Sequence, residues 1–350
     1  MTSLSDSVSA QDARIPVNVL TGFLGSGKTT LLKHWLASPE LANTAVIINE
    51  LGAVGLDHLL VDNARESLFL LDNGCLCCAV RDDLITSLQD LWARRADGRV
   101  PAFERVVIET TGLADPLPVL QTLMLADGVC EHFVADAVIT CVDGVNGVDT
   151  LERYPEALRQ VQVADVLLLT KQDLPEASQS GVASRVRALN PLARCCPVFH
   201  GELAASLLLE PGLVTDRELP DNIVPVHSGR VGSLVLVTET LLDEYDLRSW
   251  LEVVTSVYAG QLLRVKGLVR TRHLPGQPLL LHAVQQLVSE PERLVEWPSA
   301  DQRTRIVLIG ERLDEDDIRR VFRTFTGASL LDVQHNPLLL LGAGSLRLLR

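Results

Sequence analysis

The sequence is poor in aromatics: Phe, Trp and Tyr make up 4% of 350 residues. Leucine, valine and alanine must therefore fill whatever core forms. Positive charge is also scarce, with 31 Lys and Arg against 45 Asp and Glu and a net charge of -14. That excludes a general nucleic-acid binder and a protein that docks on anionic lipid. No apolar run reaches the ~18 residues that a membrane span needs, so no membrane partner is expected. Residues 1–14 are polar, with no apolar stretch of signal-peptide type, and read as a disordered leader. What is present is 47% hydrophobic and 22% charged residues, the profile of a soluble globular protein. The length suffices for two domains with ordinary cores. A cytoplasmic location is the expectation, and with it seven cysteines kept as reduced thiols.

Apolar runs at 15–20, 45–48, 68–71, 106–108, 137–142, 166–169 and 197–199 predict strands. Helical periodicity marks 29–37, where Leu31, Leu32, Trp35 and Leu36 share a face, and also 82–96, 117–126 and 178–189. Strands alternating with helices imply a doubly wound, mostly parallel α/β sheet. Polar motifs follow the strands repeatedly, at the edge where such sheets bind ligands. The pattern breaks over 202–232, which contains Pro211, Pro220 and Pro225 and reads as a linker. Beyond it, strands are expected at 233–241, 261–271, 279–288 and 305–308. Helices are expected at 246–258 and 315–326, the latter with Ile318, Val321, Phe322 and Phe325 on one face. This is a smaller α+β domain. The expected organisation is a leader (1–14), a nucleotide domain carrying a metal motif (15–201), the linker, a C-terminal α+β domain (233–328) and a tail (329–350).

The run Gly22-Phe23-Leu24-Gly25-Ser26-Gly27-Lys28-Thr29 matches G-x-x-x-x-G-K-[ST] between an expected strand and an expected helix. Gly22, Gly25 and Gly27 let backbone N–H groups turn inward, with those of Ser26 and Thr30, to cradle phosphate oxygens. Lys28 would neutralise the β- and γ-phosphates, and the Thr29 hydroxyl would ligate Mg²⁺. Glu109, after the strand at 106–108, is the candidate acid near that ion or the attacking water. Gly112 can set a backbone N–H against the γ-phosphate and report its loss. In Thr170-Lys171-Gln172-Asp173, the Asp173 carboxylate can accept from both guanine donors while the Lys171 stem covers the base. That predicts GTP rather than ATP.

Cys75, Cys77 and Cys78 lie too close together for a relaxed disulfide between neighbours. Clustered thiolates suit Zn²⁺, Co²⁺ or Cu(I). Zinc prefers four ligands and the run supplies three. Glu50, His58, a water or a partner's residue are the candidates for the fourth. An open position fits transfer better than storage. The rival is a redox dithiol, since Cys75 and Cys78 have C-x-x-C spacing; the extra Cys77 favours metal. Cys130, Cys141, Cys195 and Cys196 read as structural.

Taken in order, Gly22 to Thr30 (GFLGSGKTT), Asn49-Glu50-Leu51-Gly52, Gly74 to Cys78 (GCLCC), Glu109 to Gly112 and Thr170 to Asp173 resemble the CobW-like GTPases, the metallochaperone branch of the P-loop GTPases. The resemblance covers roughly residues 15–199, and residues 233–326 resemble the family's C-terminal domain. It implies phosphate and magnesium binding at Gly22 to Thr29, a switch segment over residues 49–57, a metal motif at Cys75, Cys77 and Cys78, a Walker B-like acid at Glu109, and guanine recognition by Lys171 and Asp173. Thr170 stands where Asn is common, and the histidine-rich linker tract of many members is absent. The main expectation is a GTPase, slow because no residue stands as an arginine finger in cis, that loads zinc (favoured by its thiolate chemistry and abundance) or cobalt and delivers it to a client metalloprotein, with a nucleotide-dependent homodimer plausible for the class. A metal-sensing switch without delivery, a P-loop ATPase or kinase, and a redox protein are the alternatives.

Overall fold

The computed structural model describes residues 14–49, 68–70, 79–190, 193–205, 231–297 and 300–331. Seven strands form a parallel sheet: β1 (Ile15–Gly22), β2 (Thr44–Asn49), β3 (Leu68–Leu70), β4 (Arg105–Thr110), β5 (Phe133–Asp143), β6 (Val166–Thr170) and β7 (Arg194–Pro197). Their spatial order is β3-β2-β4-β1-β5-β6-β7. Central strands buried on both faces must be apolar on both faces, which is why β6 reads Val-Leu-Leu-Leu-Thr without alternation. The helices are α1 (Lys28–Leu36), α2 (Ala79–Ala96), α3 (Leu117–Leu125), α4 (Gly147–Arg153), α5 (Pro155–Val163) and α6 (Val182–Leu189). Helices α2 and α3 pack with Val17, Val19, Val106 and Ile108 into one core cluster. Helix α1 packs with Leu20, Val107 and Ile139 into another. The chain runs outward from β1 in both directions, so the carboxyl ends of β1, β4 and β5 make the crevice in which such sheets bind ligands.

Four expectations need correction. Residues 147–163 hold two short helices where none was expected. Tyr154 between them is extended (φ -120°, ψ 111°), as the residue before a proline prefers, and Pro155 then opens α5. The helix expected over 178–189 is interrupted, because Gly181 takes a left-handed φ of 69° and α6 begins after it. The strand expected at 279–288 is a hairpin of β10 (Leu279–Val284) and β11 (Leu287–Val288), turned at Gln285 with φ 53°. The last strand of the first sheet, expected at 197–199, ends at Pro197.

The C-terminal domain is a second sheet, antiparallel, in the order β11-β10-β9-β13-β8. Here β8 is Val231–Thr238, β9 is Leu262–Val269, β12 (Glu292–Arg293) pairs with β10, and β13 is Thr304–Glu311. Alternation decides its packing. Leu234, Leu236, Ile306 and Leu308 join α7 (Glu244–Val257) and α8 (Glu315–Thr326) in one core, where Trp250 meets Phe322 edge-on at 5.0 Å. The intervening Val235, Val237, Val307 and Ile309 join the core of α2 and α3. The sheet is therefore a middle layer between its own helices and the first domain. Helix α8 matches its expected bounds because both ends are marked: Asp314 accepts from the N–H of Asp317, and Gly327 closes it with φ 64°. Among the described residues no helix is long and apolar enough to cross a membrane.

A buried ionic cluster joins the two sheets. Asp165, between α5 and β6, is 5% exposed. Its Oδ2 accepts from Arg264 at 2.7 Å and from the N–H of Val138 at 2.9 Å, and its Oδ1 accepts from Lys266. Arg264 also donates to the carbonyl of Val163. Burial opposes the charge on Asp165, but Arg264 and Lys266 outweigh burial and hold its carboxyl well below the usual carboxylate range. His282 pairs across the strands with Lys266. Burial, then the positive charges of Arg264 and Lys266, push its imidazole down to about 3, against the pull of Asp165.

This gives an acid sensitivity of defined sign. Unfolded His282 binds a proton below ~6.5 while folded His282 does not, so stability falls as pH drops below that value. The slope is ~1.4 kcal/mol per pH unit for one such group, so about 2 kcal/mol should be lost between pH 6.5 and 5. Urea unfolding at several pH values checks it. The His282→Gln variant should lose that part of the slope; an unchanged slope would contradict the assignment.

Candidate functional site

The carboxyl end of β1 turns through a tight glycine loop into α1. Gly22 has φ 138°, and a Cβ on it would lie 2.3 Å from the carbonyl oxygen of Cys141. Gly25 and Gly27 follow with φ 72° and 91°, a left-handed backbone that favours glycine. Gly27 leads α1 without any side-chain cap, so the helix's first N–H groups are left for a ligand. The Ser26 hydroxyl is buried with no hydrogen-bond partner among the described residues. Lys28 is 8% exposed, and its Nζ donates to the carbonyls of Gly22 at 2.8 Å and Phe23 at 3.3 Å. Thr30 is exposed in the first turn of α1. Below the loop, burial raises the Cys141 thiol to about 12, with Lys28 opposing and Glu109 adding to it, so Cys141 stays a neutral core group.

The neighbouring strand brings an acid to the loop. Glu109 is 5% exposed and pairs in register with Leu20. Its Oε1 accepts from the Thr29 hydroxyl at 2.9 Å. β4 continues one residue past Glu109, where the Thr110 hydroxyl donates to that of Thr21 at 2.8 Å. Gly112 presses on the phosphate loop: a Cβ there would lie 2.6 Å from the backbone nitrogen of Leu24. Only glycine allows that approach without a shift. The arrangement of hydroxyl, carboxylate and inward N–H groups fits a triphosphate with a divalent cation of the magnesium type.

The third wall comes from β5, β6 and the chain after β7. The Thr170 hydroxyl donates to the carbonyls of Ser26 at 2.8 Å and Val142 at 3.1 Å. A threonine thus ties the loop after β6 directly to the phosphate loop. Lys171 takes a left-handed φ of 59°, and its Nζ meets Asp143 Oδ2 at 2.6 Å. Burial opposes ionisation of Asp143, but the Lys171 hydrogen bond and the N–H groups of Asn146 and Val145 hold its carboxyl below the ordinary value. Asp173 Oδ1 accepts from the N–H of His200 at 2.8 Å, which lowers its pKa and orients the carboxylate.

Of the residues expected from sequence, Gly22, Gly25, Ser26, Gly27, Lys28, Thr29, Thr30, Glu109, Gly112, Lys171 and Asp173 gather along this one sheet edge. Glu50, Cys75, Cys77 and Cys78 lie outside the described residues, as do His58 and the expected switch segment past Asn49. Among the described residues no group of three or more His, Cys, Asp or Glu could hold a metal. Sequence reading missed Asp143 as the partner of Lys171, His200 as the partner of Asp173, and Gln160. Asp143 carried a usable signal, a carboxylate just beyond an apolar run. Gln160 carried none.

A family model described as CobW/HypB/UreG, nucleotide-binding domain, matches residues 16–197. A second, described as the cobalamin synthesis protein cobW C-terminal domain, matches residues 231–326. The chain is 33% identical over 320 residues to the zinc chaperone YjiA of Escherichia coli strain K12, covering 88% of this chain and 98% of that relative. It is 31% identical over 358 residues to the zinc chaperone CobW of Pseudomonas aeruginosa, covering 89% and 92%. The crystal structure of Zn(II)-bound YjiA GTPase from E. coli superposes with a TM-score of 0.67 at 30% identity, covering 89% of this chain and 99% of that one.

Proposed function

The chain belongs to the CobW family of P-loop GTPases, and we propose that its GTP cycle controls the grip on one transition-metal ion, zinc before cobalt, for delivery to a client metalloprotein. One observation carries the reading. β3 runs parallel to β2, so its last residue, Leu70, five positions before Cys75, ends at the sheet edge that holds Lys28 and Glu109. Relatives named zinc chaperones, matched over nearly their whole length, support zinc as the cargo.

In this reading Lys28 exchanges the carbonyls of Gly22 and Phe23 for phosphate oxygens. Magnesium, bound at Thr29 and held by Glu109, would supply charge neutralisation on the β- and γ-phosphates. Gly112 presents its N–H to the γ-phosphate, and Asp173 selects guanine. The segment over 49–57 orders around the triphosphate and brings Glu50 toward the three thiols. Loss of the γ-phosphate releases that segment, and the metal leaves. Coupling of this kind is reciprocal: GTP raises metal affinity by the factor that metal raises GTP affinity.

Zinc and cobalt titrations in the presence of a GTP analogue and of GDP test this. Tighter binding with the analogue is expected; equal affinities would sink the proposal. Cys77→Ser should weaken zinc by at least ~10-fold, the loss that even an outer partner of a metal ligand produces. Transfer to an apo metalloprotein that depends on hydrolysis would separate delivery from sensing alone.

A further inference from the structure

Helix α5 touches the phosphate-reading loop on one side and the C-terminal sheet on the other. Gln160 on this helix is fully buried at 0% exposure. Its side-chain amide donates to the carbonyl of Gly112 at 3.1 Å and to that of Ala114 at 2.9 Å. Its backbone carbonyl accepts from the Thr140 hydroxyl at 2.9 Å, which fixes this turn of α5 to β5. The adjacent Arg159 reaches Asp115 at 3.6 Å and Glu311, the last residue of β13, at 3.2 Å. At the start of the helix the Tyr154 ring lies 4.4 Å from that of Phe23 in the phosphate loop. At its end the Val163 carbonyl accepts from Arg264 of β9.

A buried glutamine that spends both amide hydrogens on two carbonyls of one short loop does more than fill space. The loop over 112–115 cannot move toward or away from the phosphate loop without breaking those bonds or moving α5. Moving α5 disturbs the contacts of Arg159 with Glu311 and of Val163 with Arg264. We propose that Gln160 and Arg159 are positioning residues for GTP hydrolysis: Gln160 fixes the loop that bears Gly112, and Arg159 ties that loop to the C-terminal sheet. The C-terminal domain thereby sets the geometry in which the γ-phosphate is read. The proposal rests on the reading of Gly112 given above.

Gln160→Met keeps the side chain's length and bulk and removes both donors. In the full chain it should lower kcat by ~10- to 100-fold, the cost of misplacing a reacting group from a distance. KM for GTP and the affinity for GDP should stay within about twofold, because neither the phosphate loop nor the base loop uses Gln160. A merely structural role would lower kcat and nucleotide affinity together. Glu311→Gln should lower kcat about threefold, the scale of a partly exposed ion pair, with no further loss when Arg159→Leu is already present. A GTP analogue should increase amide-exchange protection of β13 in the native chain and not in Arg159→Leu. A kcat within twofold of native in Gln160→Met, or additive losses at 159 and 311, would overturn the proposal. If Gln160→Met does not fold, the Arg159 and Glu311 variants still decide. Gly112→Ala separates the two levels. A native kcat in that variant removes the Gly112 reading and this proposal with it; a lowered kcat beside a native Gln160→Met removes only this proposal.

Discussion

Lys28→Ala should reduce GTP turnover by at least ~10²- to 10³-fold, the loss seen when one preorganised charge-stabilising donor is removed. The argument starts from burial. Lys28 is 8% exposed, and its ammonium is held by two loop carbonyls at 2.8 and 3.3 Å. A charge in such a site acts through a low effective dielectric and needs no reorganisation as phosphate charge builds. Alanine removes that charge, which in the nucleotide complex would contact the β- and γ-phosphates before and during hydrolysis. Nucleotide affinity should therefore fall along with kcat, in contrast to the Gln160 variants. Lys28→Met keeps most of the stem and isolates the charge; it should lose nearly as much turnover as alanine. Phosphate release with saturating GTP, and titration with a fluorescent GDP, measure the two effects. Turnover within tenfold of native in both variants would show that this loop is not the phosphate site.

The parts of the fold that were legible in the sequence are those where one local pattern decides the outcome. The strand cores of β4 and β6 are continuous apolar runs because both faces of a central parallel strand are buried. Helix α8 announces itself by its apolar stripe, its Asp314 cap and its Gly327 stop. The glycine loop after β1 is legible because its turn needs glycine at fixed spacing: Gly25 and Gly27 take φ of 72° and 91° there.

What escaped reading depends on contacts between distant residues. Helices α4 and α5 are short and are separated at Tyr154 and Pro155, so no continuous helical stretch marks 147–163 and no helix is expected there from sequence. Gln160 gains its meaning only when α5 packs beside residues 112–114. Thr170 reads as a weakened guanine motif in sequence, whereas its hydroxyl holds the phosphate loop through Ser26. The β10–β11 turn was hidden because Gln285 adopts a positive φ without being glycine. Charged residues on apolar strands, Arg264 and Lys266, look like solvent-facing positions until Asp165 is brought against them from the other domain.

That last cluster supports a large stability effect. Asp165→Ala should cost about 3–5 kcal/mol, the range for removing one partner of a buried ion pair. The cost comes chiefly from what is left behind: Arg264 at 3% exposure with its carboxylate gone, Lys266 beside it, and the N–H of Val138 without its acceptor. Asp165→Asn keeps an acceptor and loses the charge, so its loss should fall between native and alanine. Replacing the cluster together, with Asp165→Val, Arg264→Met and Lys266→Met, removes the stranded charges as well as the attraction. Such apolar replacements are often neutral or stabilising, so the triple variant should recover most of what Asp165→Ala loses. Denaturant midpoints of the full chain measure all three. A loss under ~1 kcal/mol in Asp165→Ala would mean the cluster is hydrated rather than buried. The pH dependence gives an independent check. A carboxyl held far below its unfolded value contributes fully above ~pH 4 and loses that contribution only as pH falls toward the folded value. Removing Asp165 should therefore lower stability by the same amount at pH 5 and pH 7. The slope between pH 6.5 and 5 should persist in Asp165→Ala, because His282 is already neutral there with Asp165 present and loses an attracting charge without it.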